Sequence, residues 1–344
     1  MTAFADRYGP WAVVAGASDG VGAGFADELA DRGLNVVLLA RRRRVLDEVA
    51  AEIAQRTGVQ TRTLALDLAD SGAAARVIDA TGDIDVGFLV YCAGADPDFR
   101  PFLAGPVGAA ESMIQRNCVV PVQLCHHFAG PMVRRGRGGI VIFGSGAGFV
   151  GGPNMVAYGA TKAFDMVFAE ALWTELHDHG VDVLGLILGK TDTPALRKLE
   201  HSRGQIPSED HPAKDAVPAD EVVAEAFANL TNGPTHLVGD QMRALAQVMG
   251  AMTRNDAVKL IAQATAAAVK RYLSHLVKGD ARRFALPGTG AVSTKSGASS
   301  PHSVNQASPP ANCPADITST GTNTTAIPLP APKLCQSINA GGNR

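Results

Sequence analysis

Up to Leu230, short and almost continuous apolar runs alternate with longer amphipathic segments. Trp11–Ala15 is an apolar run that ends at glycines, and Asn35–Ala40 reads as a buried strand. Arg62–Leu66, Phe88–Tyr91, Gly139–Phe143 and Val181–Leu188 follow in the same style. Phe25–Arg32 and Arg44–Thr57 read as helices, the second with Val45, Leu46, Val49 and Ile53 on one face. Helical patterns recur over Ala109–Arg135 and Ala160–His179. Strands that are apolar on both faces and separated by helices predict an α/β fold, a doubly wound parallel sheet covered on both sides. Pro218–Leu230 and Gln241–Leu276 are predicted as further helices at the end of the domain, and there is no internal repeat.

The pattern stops near Ala285. From there to Arg344 the chain is rich in Ser, Thr, Pro, Asn and Gly and has no aromatic residue. Such a segment buries too little apolar surface to offset its ordering entropy, so residues 285–344 are expected to be disordered and 1–284 to form the folded domain. The 344 residues are ample for one large domain. A net charge of −2 gives no general attraction to nucleic acid or an anionic membrane. Five cysteines (Cys92, Cys118, Cys125, Cys313 and Cys335) are odd in number and lack zinc-site spacing, so reduced thiols in a cytoplasmic protein are expected. Met1 to Tyr8 lacks the basic-then-apolar pattern of a secretory signal. No apolar stretch approaches the ~18 residues of a membrane span.

The first strand runs into Ala15-Gly16-Ala17-Ser18-Asp19-Gly20-Val21-Gly22 and then a helix. A glycine turn in that setting lets backbone approach a pyrophosphate, and the helix start offers free N–H groups and a positive dipole end. Glycines alone also serve strand-to-helix turns that need a positive φ, but the strand–turn–helix context points to a nucleotide site. The second strand ends at Ala40 and continues Arg41-Arg42-Arg43-Arg44, with no acid where an NAD-type site carries one. Cations at a helix start oppose its dipole. An anion partner for Arg41 or Arg42 is therefore the economical account, which favours NADP(H) and leaves NAD(H) possible. Arg43 and Arg44 read as solvated. Asp19 sets a carboxylate near the phosphate turn, against that preference. Asp67 is placed either to accept from an adenine amino group or to cap the next helix.

Tyr158-Gly159-Ala160-Thr161-Lys162 places a phenol and an ammonium four residues apart, on one face if helical. An ordinary tyrosine, with a pKa of about 10, is a poor acid–base group at neutral pH. A lysine ammonium beside it stabilises the phenolate. Ser145 lies thirteen residues upstream of Tyr158, just after the apolar Ile140–Phe143, where a hydroxyl can meet a substrate carbonyl or alkoxide. Asn117 sits in the preceding helical segment although its amide is a mediocre helix former.

In order and spacing, Gly16–Gly22, Asp67, Ala93-Gly94, Asn117, Ser145 and Tyr158/Lys162 resemble the short-chain dehydrogenase/reductase family over about Gly9 to Leu230. The resemblance implies a single Rossmann-like domain and an Asn–Ser–Tyr–Lys tetrad at Asn117, Ser145, Tyr158 and Lys162. It implies cofactor contacts from Gly16, Ser18, Asp19, Gly20, Val21, Gly22, Arg41, Arg42, Asp67, Ala93, Gly94, Tyr158, Lys162, Gly189, Thr191 and Thr193, with substrate at Ser145 and Tyr158. Trp11–Gly22 and Leu34–Ile53 look most like the branch of 3-oxoacyl-CoA reductases and 17β-hydroxysteroid dehydrogenases. Three departures stand out. Ala15 replaces the Thr that opens the glycine motif, Tyr91-Cys92 stands where the family has Asn-Asn, and Leu188 replaces the Pro before Gly189.

The expected activity is NADP(H)-dependent interconversion of a carbonyl and an alcohol on a hydrophobic substrate such as a 3-oxoacyl thioester or steroid. The alternatives are a non-catalytic dinucleotide sensor and an epimerase-type relative that retains NAD. Thr193–Val217 resembles the family's substrate lid. The broad apolar surface of Ala160–His179 is expected, by resemblance, to form part of a homodimer or homotetramer contact. His126 and His127 are adjacent on a helix and diverge by about 100°, so no shared metal is expected. Gln241–Leu276 is read as a packed helix pair, or as a cover over a lipophilic substrate or a membrane surface.

Overall fold

Residues 2–95 and 99–278 are described in the computed structural model, with side chains to residue 266. The chain runs α1 (Ala3–Tyr8), β1 (Trp11–Ala15), α2 (Gly20–Asp31), β2 (Asn35–Ala40), α3 (Arg43–Thr57), β3 (Thr61–Ala65), α4 (Ala73–Ala80) and β4 (Val86–Tyr91). It continues with α5 (Val107–Ile114), α6 (Val120–Arg135), β5 (Gly138–Ser145), α7 (Val156–Leu176), β6 (Val181–Leu188), β7 (Thr191–Asp192) and α8 (Pro194–Ser202). Last come β8 (Val217–Pro218), α9 (Ala219–Ala228), β9 (Thr235–Leu237), α10 (Asp240–Gly250) and α11 (Arg254–Lys278). The tail at 285–344, with Cys313 and Cys335, lies outside the described residues.

Seven strands pair in the order β3-β2-β1-β4-β5-β6-β9, all parallel. The inner strands β1, β2, β4, β5 and β6 are largely apolar on both faces because each face is covered, while the edge strands β3 and β9 are half-buried and carry polar residues. Val14, Leu38, Phe88 and Phe143 point into one core with Phe25 and Leu29 of α2 and Val222 of α9. Val13, Leu39, Leu89 and Ile142 point into the other with Val77 of α4 and Leu124 and Phe128 of α6. Fully burying one such side chain is worth about 1.5–3 kcal/mol. Successive strands grow outward in opposite directions from the β1/β4 pair, so a crevice opens there at the carboxyl ends. Ala15 is level with both Leu39 and Tyr91, and Tyr91 with Ile142, so these strands deliver their ends to one rim.

Several boundaries differ from the sequence reading. The helix expected from Phe25 starts at Gly20, because Asp19 caps it by accepting from the Gly20 N–H at 2.8 Å. The helix expected over Ala109–Arg135 is two helices joined by a π turn, Gln115–Val119. Gln241–Leu276, by contrast, is the helix pair expected, α10 and α11. The short α1, α4 and β9 carry too little periodicity to be read. α1 is held from outside instead: buried Tyr8 donates to Asp182 Oδ2 at 2.6 Å, and Arg7 donates to the same oxygen. Among the described residues no helix is long and apolar enough to cross a membrane.

Candidate active site

The glycine turn closes tightly behind β1. The Gly16 and Ala17 N–H groups donate to the Leu39 carbonyl at 2.8 and 3.1 Å, and Gly16 has φ +93°. A Cβ on Gly22 would stand 2.2 Å from the Gly16 carbonyl oxygen, and one on Gly20 would stand 2.9 Å from Thr193 Cγ2. The start of α2 is therefore a bare backbone cradle, with buried Val21 anchoring its first turn in the core.

Beside the cradle, Arg42 is the N-cap of α3 and makes no capping bond. Its Nη2 reaches back to Ser18 Oγ at 3.4 Å and Asp19 Oδ2 at 3.3 Å. Arg41, with 73% of its side chain exposed, stands 3.9 Å from Asp67 Oδ2. Arg43 and Arg44 are not simply solvated: they pair with Asp47 and Glu48 along the α3 surface. Asp67 Oδ1 accepts from the Ala69 N–H at 2.9 Å. It forms a local turn and does not cap the next helix, whose N-cap is Gly72.

The rim past β4 and β5 gathers the polar set. Gly94, at φ +144°, packs so that a Cβ would meet Asn117 Oδ1 at 3.0 Å and Lys162 Nζ at 3.2 Å. Asn117 is fully buried within the π turn; its amide donates to Thr161 Oγ1 at 2.9 Å, and its Oδ1 accepts from Arg116 Nε at 3.1 Å. Thr161 donates to the Tyr158 carbonyl, so Asn117 is fastened to the turn of α7 that carries Tyr158 and Lys162. Lys162 Nζ lies 5.9 Å from the Tyr158 ring centre. It donates to the Phe143 carbonyl at 2.7 Å and to Asp165 Oδ2 at 3.0 Å.

Ser145 ends β5, and its Oγ accepts from the Ala147 N–H at 3.2 Å. Its loop lies directly against α7, because a Cβ on Gly148 would be 2.7 Å from the Ala163 nitrogen and one on Gly159 would be 2.9 Å from the Ala147 oxygen. These glycines bring the serine loop and the tyrosine helix together.

The far wall comes from the end of the domain. Met242 of α10 packs over Gly146 and Gly189, and Ile261 of α11 over Gly152. Arg254 donates to the Phe149 carbonyl at 3.3 Å. The helix pair thus covers the loop after Ser145. Thr191 lies in β7, paired with Val217 of β8, and its Oγ1 donates to the Gly189 carbonyl. Thr193 uses its hydroxyl to cap α8, accepting from the Leu196 N–H at 3.2 Å. The segment 193–217 is pinned at its base by Asp192, which accepts from Arg197 and from the Ala213 N–H.

A family model for short chain dehydrogenases matches residues 10–204. The chain belongs to the short-chain dehydrogenase/reductase family. It is an oxidoreductase of that family, whose members bind NAD(P). It is 34% identical over 257 residues to a 7beta-hydroxysteroid dehydrogenase of Clostridium sardiniense, covering 74% of this chain and 95% of that one. It is 37% identical over 185 residues to a very-long-chain 3-oxoacyl-CoA reductase of Laccaria bicolor, covering 52% of this chain and 54% of that one. A short-chain dehydrogenase from Sphingobium yanoikuyae in complex with NADPH superposes with a TM-score of 0.58 at 26% identity, over 81% of this chain and 99% of that chain.

Set against the short-chain dehydrogenase/reductase pattern, the Tyr91-Cys92 departure has a structural answer. Tyr91 is buried, and its hydroxyl donates to the Arg116 carbonyl, tying β4 to the residue before Asn117. Burial pushes its phenol well up, and pushes Cys92 and Cys125 to about 12 and Cys118 to about 11, so these are protonated packing groups. No metal-binding cluster occurs among the described residues, His126 and His127 included. Sequence reasoning missed Thr161 and Asp165. α7 also carries Glu170, Thr174 and Glu175, so two further polar residues on it gave no signal of their own.

Proposed function

We propose that the chain is an NADP(H)-dependent carbonyl reductase or secondary-alcohol dehydrogenase acting on a hydrophobic ketone, a steroid or a 3-oxoacyl thioester. The carrying observation is the polar set at the rim: Tyr158 and Lys162 on one face of α7, Asn117 fastened to that helix, and Ser145 on the loop packed against it. The side-chain-free cradle at Gly16, Gly20 and Gly22, opening at the helix start, fits a pyrophosphate. Ser18, Arg41 and Arg42 converge beside it, where a ribose 2′-phosphate would find donors and positive charge. Asp67, Ala93, Gly94, Gly189, Thr191 and Thr193 would complete the contacts to the dinucleotide.

When bound, the dinucleotide supplies hydride to the substrate carbon, or accepts it. The chain's own groups handle the oxygen. In reduction the Ser145 hydroxyl donates to the carbonyl oxygen and orients it, and the Tyr158 hydroxyl delivers the proton. Lys162 places positive charge beside the phenol, and Asn117 holds the helix turn that presents both. The relatives named for a hydroxysteroid and for a long 3-oxoacyl chain, together with the apolar Met242 and Ile261 over the loop, support a bulky lipophilic substrate.

The exposed apolar residues Val107 and Ile114 of α5 and Val156 and Val167 of α7 support a homodimer or homotetramer, tested by light scattering. The function is tested by NADPH oxidation across 7-oxosteroids, 3-oxoacyl thioesters and bulky aromatic ketones, with NADH in parallel. Turnover of at least one ketone, faster with NADPH, is expected. NADPH binding without turnover of any would favour a dinucleotide sensor, and tightly co-purifying NAD an epimerase-type activity.

A further inference from the structure

Asp165 is the residue of α7 that the proposed chemistry leaves unused. It lies seven residues beyond Tyr158 and three beyond Lys162, so phenol, ammonium and carboxylate follow one another along one face of the helix. The side chains of Lys162 and Asp165 are 5% and 4% exposed, and their charged atoms are 3.0 Å apart. Asp165 Oδ1 is buried and has no hydrogen-bond partner. A carboxylate in such a place is expensive: desolvation costs several kcal/mol per ion, repaid only in part by a good partner. An apolar residue would pack this helix face at lower cost, so stability does not account for Asp165.

Its geometry does. An ammonium has three N–H donors. Lys162 spends one on the Phe143 carbonyl at the end of β5 and one on Asp165, and the nitrogen is wedged against Gly94. Two acceptors on rigid elements thus set the nitrogen's position and leave one donor for the site. The carboxylate also offsets the ammonium's charge, from about 10 Å beyond the phenol along the helix axis.

We infer that Asp165 is a positioning residue that fixes where the Lys162 ammonium stands and how much of its charge the Tyr158 phenol feels. This rests on the proposed pairing of Tyr158 with Lys162. The charged group acting on Asp165 is Lys162. Around the pair stand Tyr91 of β4, which Arg116 also faces, Cys118 of the π turn and Cys125 of α6; Cys92, after β4, faces Lys162. Burial keeps that phenol and those thiols neutral, so the charges on this side are the ammonium, the carboxylate paired with it and the Arg116 guanidinium, which is bonded to Asn117.

The test is a tyrosinate titration by near-ultraviolet absorbance on the full chain, which needs no substrate. Of the four tyrosines, Tyr8 and Tyr91 are pushed far up by burial and stay silent. The difference between the parent and Tyr158→Phe isolates Tyr158. The same difference is then taken in an Asp165→Asn background, with melting and NADPH binding as checks on folding. Removing one charge at that range should lower the Tyr158 midpoint by about one pH unit, while Asp165→Glu keeps the parent midpoint. Should Asp165→Asn fold poorly, Asp165→Val removes the charge together with the unpartnered oxygen and should give the same shift. An unchanged or higher midpoint in a neutral variant that folds and binds NADPH overturns the inference. Undiminished turnover in Tyr158→Phe is a different failure, that of the catalytic reading itself.

Discussion

Arg42 Nη2 stands 3.3 Å from Asp19 Oδ2, so a cation proposed to meet a 2′-phosphate already has an anion beside it. A bound phosphate would compete with that carboxylate. Asp19→Asn keeps a side chain able to cap α2 and removes the competitor. NADPH affinity should rise several-fold in a fluorescence titration, with little change for NADH. Arg42→Ala should do the reverse. Loss of a charged hydrogen bond worth about 1.5–3 kcal/mol weakens NADPH by roughly 10- to 100-fold, and NADH far less.

Tyr158→Phe removes the hydroxyl proposed to deliver the proton and leaves the packing of α7 in place. Turnover should fall by about 10²- to 10⁴-fold. NADPH binding, measured separately by fluorescence, should persist.

Gly22 and Gly58 offer a controlled steric comparison. A Cβ at Gly22 collides with backbone at 2.2 Å, whereas Gly58 has nothing within 4 Å but sits at φ +75°. Gly58→Ala should cost about 1 kcal/mol of backbone strain. Gly22→Ala should cost on the order of 3 kcal/mol and also abolish NADPH binding, because the turn must open. Urea unfolding and NADPH titration read the two effects.

Acidic pH should report on Asp165. Burial pushes its carboxyl from 3.8 up to about 6, and Lys162 pulls it down less strongly. The folded chain therefore holds a proton that the unfolded chain has lost, and this residue's contribution to stability falls as pH rises from about 4 to about 6. Asp192 works in the opposite sense. Arg197 holds it below its ordinary value, and its contribution fades as pH drops through that lowered range. The difference in melting temperature between the parent and Asp165→Val, followed across pH 4 to 7, should isolate the first effect.

The sheet was legible because its inner strands, buried on both faces, read as near-continuous apolar runs, and Val181–Leu188 matched to the residue even with Asp182 inside it, a carboxylate that Arg7 and Tyr8 satisfy. Tyr158, Lys162, Ser145 and Asn117 are singled out together by the family resemblance, and the structure places all four at the rim past β4 and β5. Asp165 is not singled out. A carboxylate three positions from a lysine on a helix reads as an exposed pair, and only tertiary burial reveals otherwise. The cap formed by Asp19 hid the true start of α2, since Gly20, Gly22 and Gly24 are poor helix formers. Thr193 is expected among the cofactor contacts by resemblance, while the bond its hydroxyl makes in the structure is the cap of α8.

The roof over the Ser145 loop is made by Met242 and Ile261, which come after the last strand of the sheet. Those two helices supply none of the seven strands, so under the proposed function ligand choice and proton chemistry would draw on separate stretches of polypeptide. Grafting a different pair of terminal helices onto this scaffold would be a way to change what it accepts while leaving how it reacts intact.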